Sequence, residues 1–303
     1  AKSARYYGMS LIGIKRGYNG TLCRSHHIED DMVELDLDTI LDIADQPGTY
    51  LRTARCLDFI RPEMRVHAAN NIREMGIEGV VVIGGDGSYH GAMGLCELGI
   101  PCVGIPGTID NDLAYTEMTL GYDTAVNSCI DDIRAIRATS RSHDRPGVVE
   151  VMGRHAGYLA LYVGVAVGAT AVLVPERPYD FHSQVAEKIR HARLNGKTNF
   201  MIVVAEGAAS AVDVGRQIQE ELALDPRVTI LGHIQRGGSP TAKDRVMATR
   251  MGYEAVRILA EGKTNRVICT KDDQIIDLDI DEGLAMKKTL NSEEFKVMTV
   301  MTG

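Results

Sequence analysis

Two apolar runs, residues 79–83 and 101–105, each end in a turn built on glycine or proline, and a helical stretch lies between them. Five apolar residues in a row, without polar alternation, fit a strand buried on both faces. Strand, turn, helix and strand in that order make a parallel βαβ unit. The same alternation continues along the chain. A helix is expected over 62–75, with Val66, Ala69, Ile72 and Met75 in one stripe, Pro62 near its start and Gly76 as its stop. Further helices are expected after Ser88, over 123–139, 156–167, 181–194 and 241–260, and through the stripe Val214, Ile218 and Leu222. Strands are expected at 11–14, 147–152, 171–174, 199–205 and 228–231, with 266–269 as the last clear one. Residues 19–55 read as polar, acidic and irregular. The fold class is therefore α/β with mainly parallel sheets.

A length of 303 residues allows a large core and two domains. The formal net charge of −8 and the lack of a basic stripe argue against nucleic acid as a partner. An anionic ligand must then be gripped by local arginines. No apolar run reaches the length of a membrane span, and no membrane partner is expected. The six cysteines form no CxxC pair, which fits reduced thiols in a cytoplasmic protein better than zinc ligands or disulfides. The chain starts at Ala1, with neither Met nor a signal-peptide pattern.

The chemistry is concentrated where the first two apolar runs end. Gly84-Gly85-Asp86-Gly87-Ser88 offers glycines that let a backbone approach phosphates, followed by a helix N-terminus with amide donors. Asp86 can hold a magnesium ion. Pro106-Gly107-Thr108-Ile109-Asp110-Asn111-Asp112 packs a hydroxyl, two carboxylates and an amide behind a Pro-Gly turn. One carboxylate can take a proton while the other helps to hold a cation, a combination suited to phosphoryl transfer. Arginines mark further strand ends. Arg145 and Arg227 stand before strands, and Arg154 and Arg236 after them, as phosphate grips would. His233 accompanies Arg236, and Glu206 closes another strand, where a carboxylate can accept sugar hydroxyls.

GGDGS also occurs in NAD kinases and diacylglycerol kinases. Taken with PGTIDND, VVEVMGRHAGYLAL and LGHIQRGGSP, however, it closely resembles the bacterial ATP-dependent 6-phosphofructokinases, over nearly the whole chain and in order. NAD kinases have neither of the last two motifs. The resemblance implies two similar three-layer domains with mainly parallel sheets, the phosphofructokinase fold. Residues 1–121 and 235–285 would bind ATP, and 122–234 and 286–303 the sugar phosphate. It implies a homotetramer that transfers the ATP γ-phosphate to O1 of fructose 6-phosphate, with Mg2+. By position, Asp110 resembles the base, supported by Thr108 and Asp112, while Asp86 and Asp112 face the magnesium. Arg154 and Arg55 match the arginines that steady the moving phosphoryl group. Tyr18, Arg55, Cys56, Gly85, Asp86, Gly87, Ser88 and Gly91 match the ATP pocket. Thr108, Ile109, Asp110, Met152, Gly153, Arg154, Glu206, His233, Ile234, Gln235 and Arg236 match the sugar-phosphate site. Arg145 and Arg227 match residues that the family lends from a neighbouring subunit.

Family members begin with a strand that ends in a Gly-Gly-Asp loop against the ATP phosphates. This sequence starts beyond it, inside what matches the following helix, and loss of such a strand would expose a sheet edge. At the family's effector site, Lys2, Arg137, Gly168 and Lys197 match, but Thr170 replaces a carboxylate and Leu37 an arginine. Pyrophosphate-dependent relatives carry Asp at the position of Gly87 and Lys at that of Gly107. Glycine at both positions leaves room for a nucleotide. The alternatives are a pyrophosphate-dependent enzyme and a truncated or inactive regulatory paralogue.

Overall fold

The computed structural model describes residues 1–23, 31–290 and 292–302. Part of the stretch expected to be irregular, 24–30, lies outside them. The strands are β1 (Ile12–Ile14), β2 (Met32–Glu34), β3 (Val80–Gly84), β4 (Cys102–Pro106), β5 (Gly147–Val151), β6 (Ala171–Leu173), β7 (Met201–Ala205), β8 (Arg227–Ile230), β9 (Arg266–Lys271) and β10 (Gln274–Asp279).

The chain divides into two units. The first comprises Ala1–Thr108, Leu113–Leu120 and Ala242–Lys287; the second comprises Ile109–Asp112, Gly121–Thr241 and Lys288–Gly303. These borders differ from the sequence expectation at 109–112, 121 and 235–241, which go with the second unit, and at 286–287, which go with the first. The reason is packing: the Ile109 side chain joins the second unit's core, and Gln235 accepts the Met152 N–H there.

In the first unit the sheet order is β10-β9-β4-β3. β3, β4 and β9 run parallel, and β10 returns antiparallel to β9. Successive residues of β4 point to opposite faces, as a pleated strand requires. Cys102 joins a cluster with Ala69, Ile72, Tyr89 and Leu95 from the helices Pro62–Glu74 and Asp86–Glu97. Val103 and Ile105 join Met251, Ala255 and Ile258 from the helix Ala242–Ala260. One sheet buried between two helical layers results.

The second unit repeats the plan, with the all-parallel order β6-β7-β5-β8. Val149, Val151, Val203 and Ala205 face Val126, Cys129, Leu159 and Val163 of the helices Tyr122–Ser142 and Tyr158–Ala166. Val148, Ile202 and Val204 face Val185, Ile189, Val214 and Ile218 on the other side.

Several expectations need correcting. The stretch expected to be irregular contains β2, antiparallel to β1, and a helix Leu37–Ile43 capped by the Asp36 side chain. β2 is three residues long and lies among acidic residues, Asp31, Glu34 and Asp36, so it leaves no apolar run to read. The strand 266–269 is not the last: β10 follows through Asp272 and Asp273, both with φ > 0 (50° and 62°), a two-residue hairpin turn. In the helix Pro62–Glu74 the buried residues are Ala68, Ala69 and Ile72, and Val66 is exposed. The helix expected after Ser88 begins at Asp86, so Asp86, Gly87 and Ser88 form its first turn. Arg227 is the first residue of β8 and does not precede it. Among the described residues no helix is long and apolar enough to cross a membrane.

Candidate active site

In the first unit, β3 passes through a single residue, Gly85, into the helix Asp86–Glu97. A helix N-terminus has unpaired N–H donors and partial positive charge. The glycines here have different causes. A Cβ on Gly84 would lie 2.3 Å from Ser88 Oγ, so glycine is needed for the chain to close. A Cβ on Gly85 or Gly87 would meet nothing within 4 Å. Protein packing does not demand glycine at those two positions, and the space beside them is open.

Gly91, placed in the ATP pocket by resemblance, has an internal reason. A Cβ there would sit 2.5 Å from the Tyr18 ring. Tyr18 stacks on Phe59 with centroids 4.0 Å apart and donates its hydroxyl to the Ser88 carbonyl. Burial pushes the Tyr18 phenol far up, so it stays neutral. Tyr18 and Gly91 thus brace the first turn of the helix from behind. Cys56 is half-buried against the same core, and Arg55 is exposed, its carbonyl accepting from Asn19.

The end of β4 is anchored to its neighbours. Gly107 N–H donates to the Gly84 carbonyl at 2.9 Å, and Thr119 Oγ1 donates to the Thr108 carbonyl at 2.6 Å. A Cβ on Gly107 would lie 2.9 Å from Ile83 Cγ2. Glycine at 107 thus has a local reason as well, although Ile83 is itself exposed and can turn aside.

In the second unit, Asp110 is buried to 2% side-chain exposure and its Oδ2 lies 3.4 Å from Arg154 Nε. Asn111 next to it adopts φ +49°, and its carbonyl accepts from Lys288 Nζ at 2.7 Å. Lys288 also lies over the Tyr158 ring, 4.9 Å from its centroid. Lys288 carried no sequence signal, and Tyr158 none beyond its place in the VVEVMGRHAGYLAL stretch; they meet the loop only through folding. Asp112 is half-buried.

Arg154 leaves the end of β5 on a strained turn, with φ +137° at Gly153 and +53° at Arg154. Glu206, directly after β7, holds that turn: its Oε1 accepts from Gly153 N–H at 3.2 Å and from Arg154 N–H at 2.7 Å. Two N–H donors on one carboxylate oxygen are charge-assisted bonds. Met152 N–H donates to Gln235 Oε1 at 3.1 Å, and the same oxygen takes the Cys129 thiol. Gln235 Nε2 donates to the Gly232 carbonyl at 2.9 Å. Gln235 is 1% exposed, so its side chain does not reach a ligand. That corrects its placing among the sugar-binding residues: it is an internal strut under Met152. Ile109 is likewise buried in the core, leaving only its backbone for binding. His233, Ile234 and Arg236, from the turn Gly232–Arg236, are exposed.

Arg145 and Arg227 are brought together at the other end of the same sheet. Arg145 Nη2 lies 3.1 Å and Arg227 Nη1 3.4 Å from the two oxygens of Asp225. Asp225 was not expected. The Asp-Pro pair just before β8 was its only sequence trace. Of the four effector-site candidates, Arg137 donates to the Gly168 carbonyl at 3.5 Å, whereas Lys197 and Lys2 are exposed, Lys2 being in the first unit.

The family model for phosphofructokinase matches residues 1–259. The chain belongs to the phosphofructokinase family. It is 46% identical to an ATP-dependent 6-phosphofructokinase of Clostridium botulinum (strain Loch Maree / Type A3), over 97% of this chain and 90% of that relative. It is also 46% identical to ATP-dependent 6-phosphofructokinase 1 of Clostridium perfringens, over 98% of this chain and 91% of the relative. Among solved structures, phosphofructokinase from Saccharomyces cerevisiae superposes with a TM-score of 0.87 at 30% identity, covering 99% of this chain. This chain spans only 44% of that yeast chain. A pyrophosphate-dependent phosphofructokinase from Marinobacter aquaeolei superposes at 0.83 with 19% identity, over 100% of this chain and 86% of the other, a likeness of fold.

Proposed function

We propose that the protein is an ATP-dependent 6-phosphofructokinase, a phosphotransferase that moves the γ-phosphoryl group of ATP to O1 of fructose 6-phosphate. The observation that carries the reading is the buried Asp110 beside Arg154, on a turn held by Glu206. A carboxylate sheltered from water suits a base that accepts the proton of the sugar 1-hydroxyl as that oxygen attacks phosphorus. Arg154 supplies positive charge where the transferred group develops its own negative charge, and Arg55 is proposed to assist. Thr108 orients the attack. Glu206 Oε2 is proposed to accept sugar hydroxyls, with Met152, Gly153, His233 and Arg236 around the sugar phosphate. Gly85, Asp86, Gly87 and Ser88 would receive the ATP phosphates on the helix N-terminus.

Among the described residues no group of three or more His, Cys, Asp or Glu forms a cage for a metal. That fits Mg2+, which keeps its waters and is held by one or two carboxylates and substrate phosphates. By resemblance, Asp86 and Asp112 are the carboxylates proposed for it, and when bound it would neutralise phosphate charge.

We infer further that the enzyme is a cytoplasmic homotetramer in which Arg145 and Arg227 serve a neighbour's sugar-phosphate site. Their place at the start of the parallel strands, opposite the end from which Arg154 and Glu206 leave, supports this. Arg137, Gly168 and Lys197 are proposed for an effector phosphate, with Lys2 beside them by resemblance.

A pyrophosphate donor is the second reading; the open space at Gly87 favours ATP. The test is fructose 1,6-bisphosphate formation from fructose 6-phosphate with ATP or with pyrophosphate. Turnover with ATP and little with pyrophosphate is expected. Preference for pyrophosphate would replace the donor, and turnover with neither would overturn the reading. For the shared site, an Arg145→Ala Arg227→Ala variant reassembled with Asp110→Ser should regain activity; mixed oligomers as inactive as either parent would refute it.

A further inference from the structure

Cys96 and Cys102 lie in the first unit, at the far end of the helix whose first turn contains Asp86. Cys96 is the second-last residue of that helix and half-buried; Cys102 opens β4 and is buried. Both converge on Thr264. Cys96 Sγ is 3.5 Å from Thr264 Oγ1, and Cys102 N–H donates to the same oxygen at 3.2 Å. Asn265, held at φ +56° by bonds from its side chain to Asp279 and Asp281, turns its N–H toward the Cys96 sulfur. The Cys102 thiol donates to the Ile100 carbonyl at 3.4 Å and lies close enough to the Cys96 sulfur to act on its titration. The Cys96 sulfur therefore sits among several donors, with a second thiol beside it.

We propose that Cys96 and Cys102 form a peroxide-sensitive dithiol that oxidises to a disulfide through a sulfenic acid at Cys96. The Cys96 thiolate attacks one oxygen of hydrogen peroxide, the O–O bond breaks, and hydroxide leaves and is protonated to water. Cys96 has then lost two electrons and carries S–OH. The Cys102 thiol gives up its proton, its sulfur attacks Cys96 sulfur, the S–O bond breaks and a second water leaves. Two thiols and one peroxide yield one disulfide and two waters.

The electrostatics agree with this division of roles. Hydrogen bonding, first from Cys102 and then from Thr264, Asn265 and the Cys102 backbone, outweighs burial and lowers the Cys96 thiol to about 6. Its neighbour and burial push the Cys102 thiol far up, so it stays protonated until it attacks. The other titratable group that feels the pair is the neutral Tyr18 phenol. Tyr18 matches the ATP pocket, but none of the residues proposed to act on the phosphoryl group itself is involved.

The experiment treats the full-length protein with hydrogen peroxide and maps its cysteine peptides by mass. A Cys96–Cys102 linkage that dithiothreitol reverses is expected in the unsubstituted protein, and dimedone-trapped sulfenic acid on Cys96 in Cys102→Ala. A second measurement needs no variant: the iodoacetamide reaction of Cys96 should level off above about pH 7, because its thiolate is then fully formed. Cys23, whose thiol burial and Asp31 push up, should keep accelerating. Unlinked thiols after peroxide, a linkage to another cysteine, or a Cys96 rate still climbing beyond pH 8 would each overturn the proposal.

Discussion

The two units treat the same structural event differently. In each, a parallel strand ends and a helix follows. After β3 only Gly85 intervenes, and the helix presents bare backbone at Asp86, Gly87 and Ser88. After β5, residues 152–157 intervene before Tyr158–Ala166, and that longer turn carries Arg154, tied down by Glu206. The short connection suits a polyphosphate, which needs N–H donors and room. The long one suits a sugar phosphate, which needs charged groups at fixed positions. One βα plan thus gives a backbone cradle in one unit and an anchored side-chain site in the other.

The largest effect expected is at the anchored site. Asp110→Ser should lower kcat by about 10²–10⁴-fold, the usual contribution of a general base, with fructose 6-phosphate binding retained. An unchanged kcat would remove Asp110 from the chemistry.

Next comes the anchor itself. Glu206→Ala removes the acceptor of two backbone N–H groups, bonds of a kind worth roughly 1.5–3 kcal/mol each. A loss of about 10–100-fold in kcat/KM for the sugar phosphate, with the KM for ATP unaltered, would confirm that the second turn depends on side chains. Equal loss for both substrates would erase the distinction between the two turns.

The cradle is sharpened by two glycines. Gly87→Asp places negative charge in open space, so the KM for ATP should rise by about tenfold or more while Tm stays within about 2 °C. Gly107→Ala should do the reverse. Its Cβ would lie 2.9 Å from Ile83 Cγ2, and overpacking costs about 1 kcal/mol, roughly 2–4 °C in Tm for a chain of this size. If Gly87→Asp melts early and leaves ATP use intact, the open space has been misread.

The smallest effect belongs to Asp225. Its pairs with Arg145 and Arg227 are a third to a half exposed, and such pairs are worth about 0.2–1 kcal/mol. Asp225→Ala should shift the KM for fructose 6-phosphate less than about fivefold and Tm by no more than about 2 °C. A fall of more than about 5 °C would mean that Asp225 holds the fold.

The alternation of buried strand, turn and helix was legible because burial on both faces demands unbroken apolar runs and because Gly and Pro punctuate them. Asp110, Arg154 and Glu206, the residues proposed for the chemistry, were legible at or just beyond strand ends. β10 was missed although Asp277 and Asp279 alternate with Ile276 and Leu278, because the Asp-Asp turn before it resembles a loop.

Sequence alone determined which residues could do chemistry here and that they would sit at the ends of parallel strands, since period and turn residues act over a few positions. Tertiary structure decided what each one packs against and is held by. Gly107 is small partly for Ile83's sake and Gly91 for Tyr18's, whereas packing asks nothing of Gly87. Gln235 became a buried strut 83 positions from Met152, and Lys288 fastened Asn111 across 177 positions. Such contacts form when distant segments are packed together, and no local pattern in a chain records which partner will arrive.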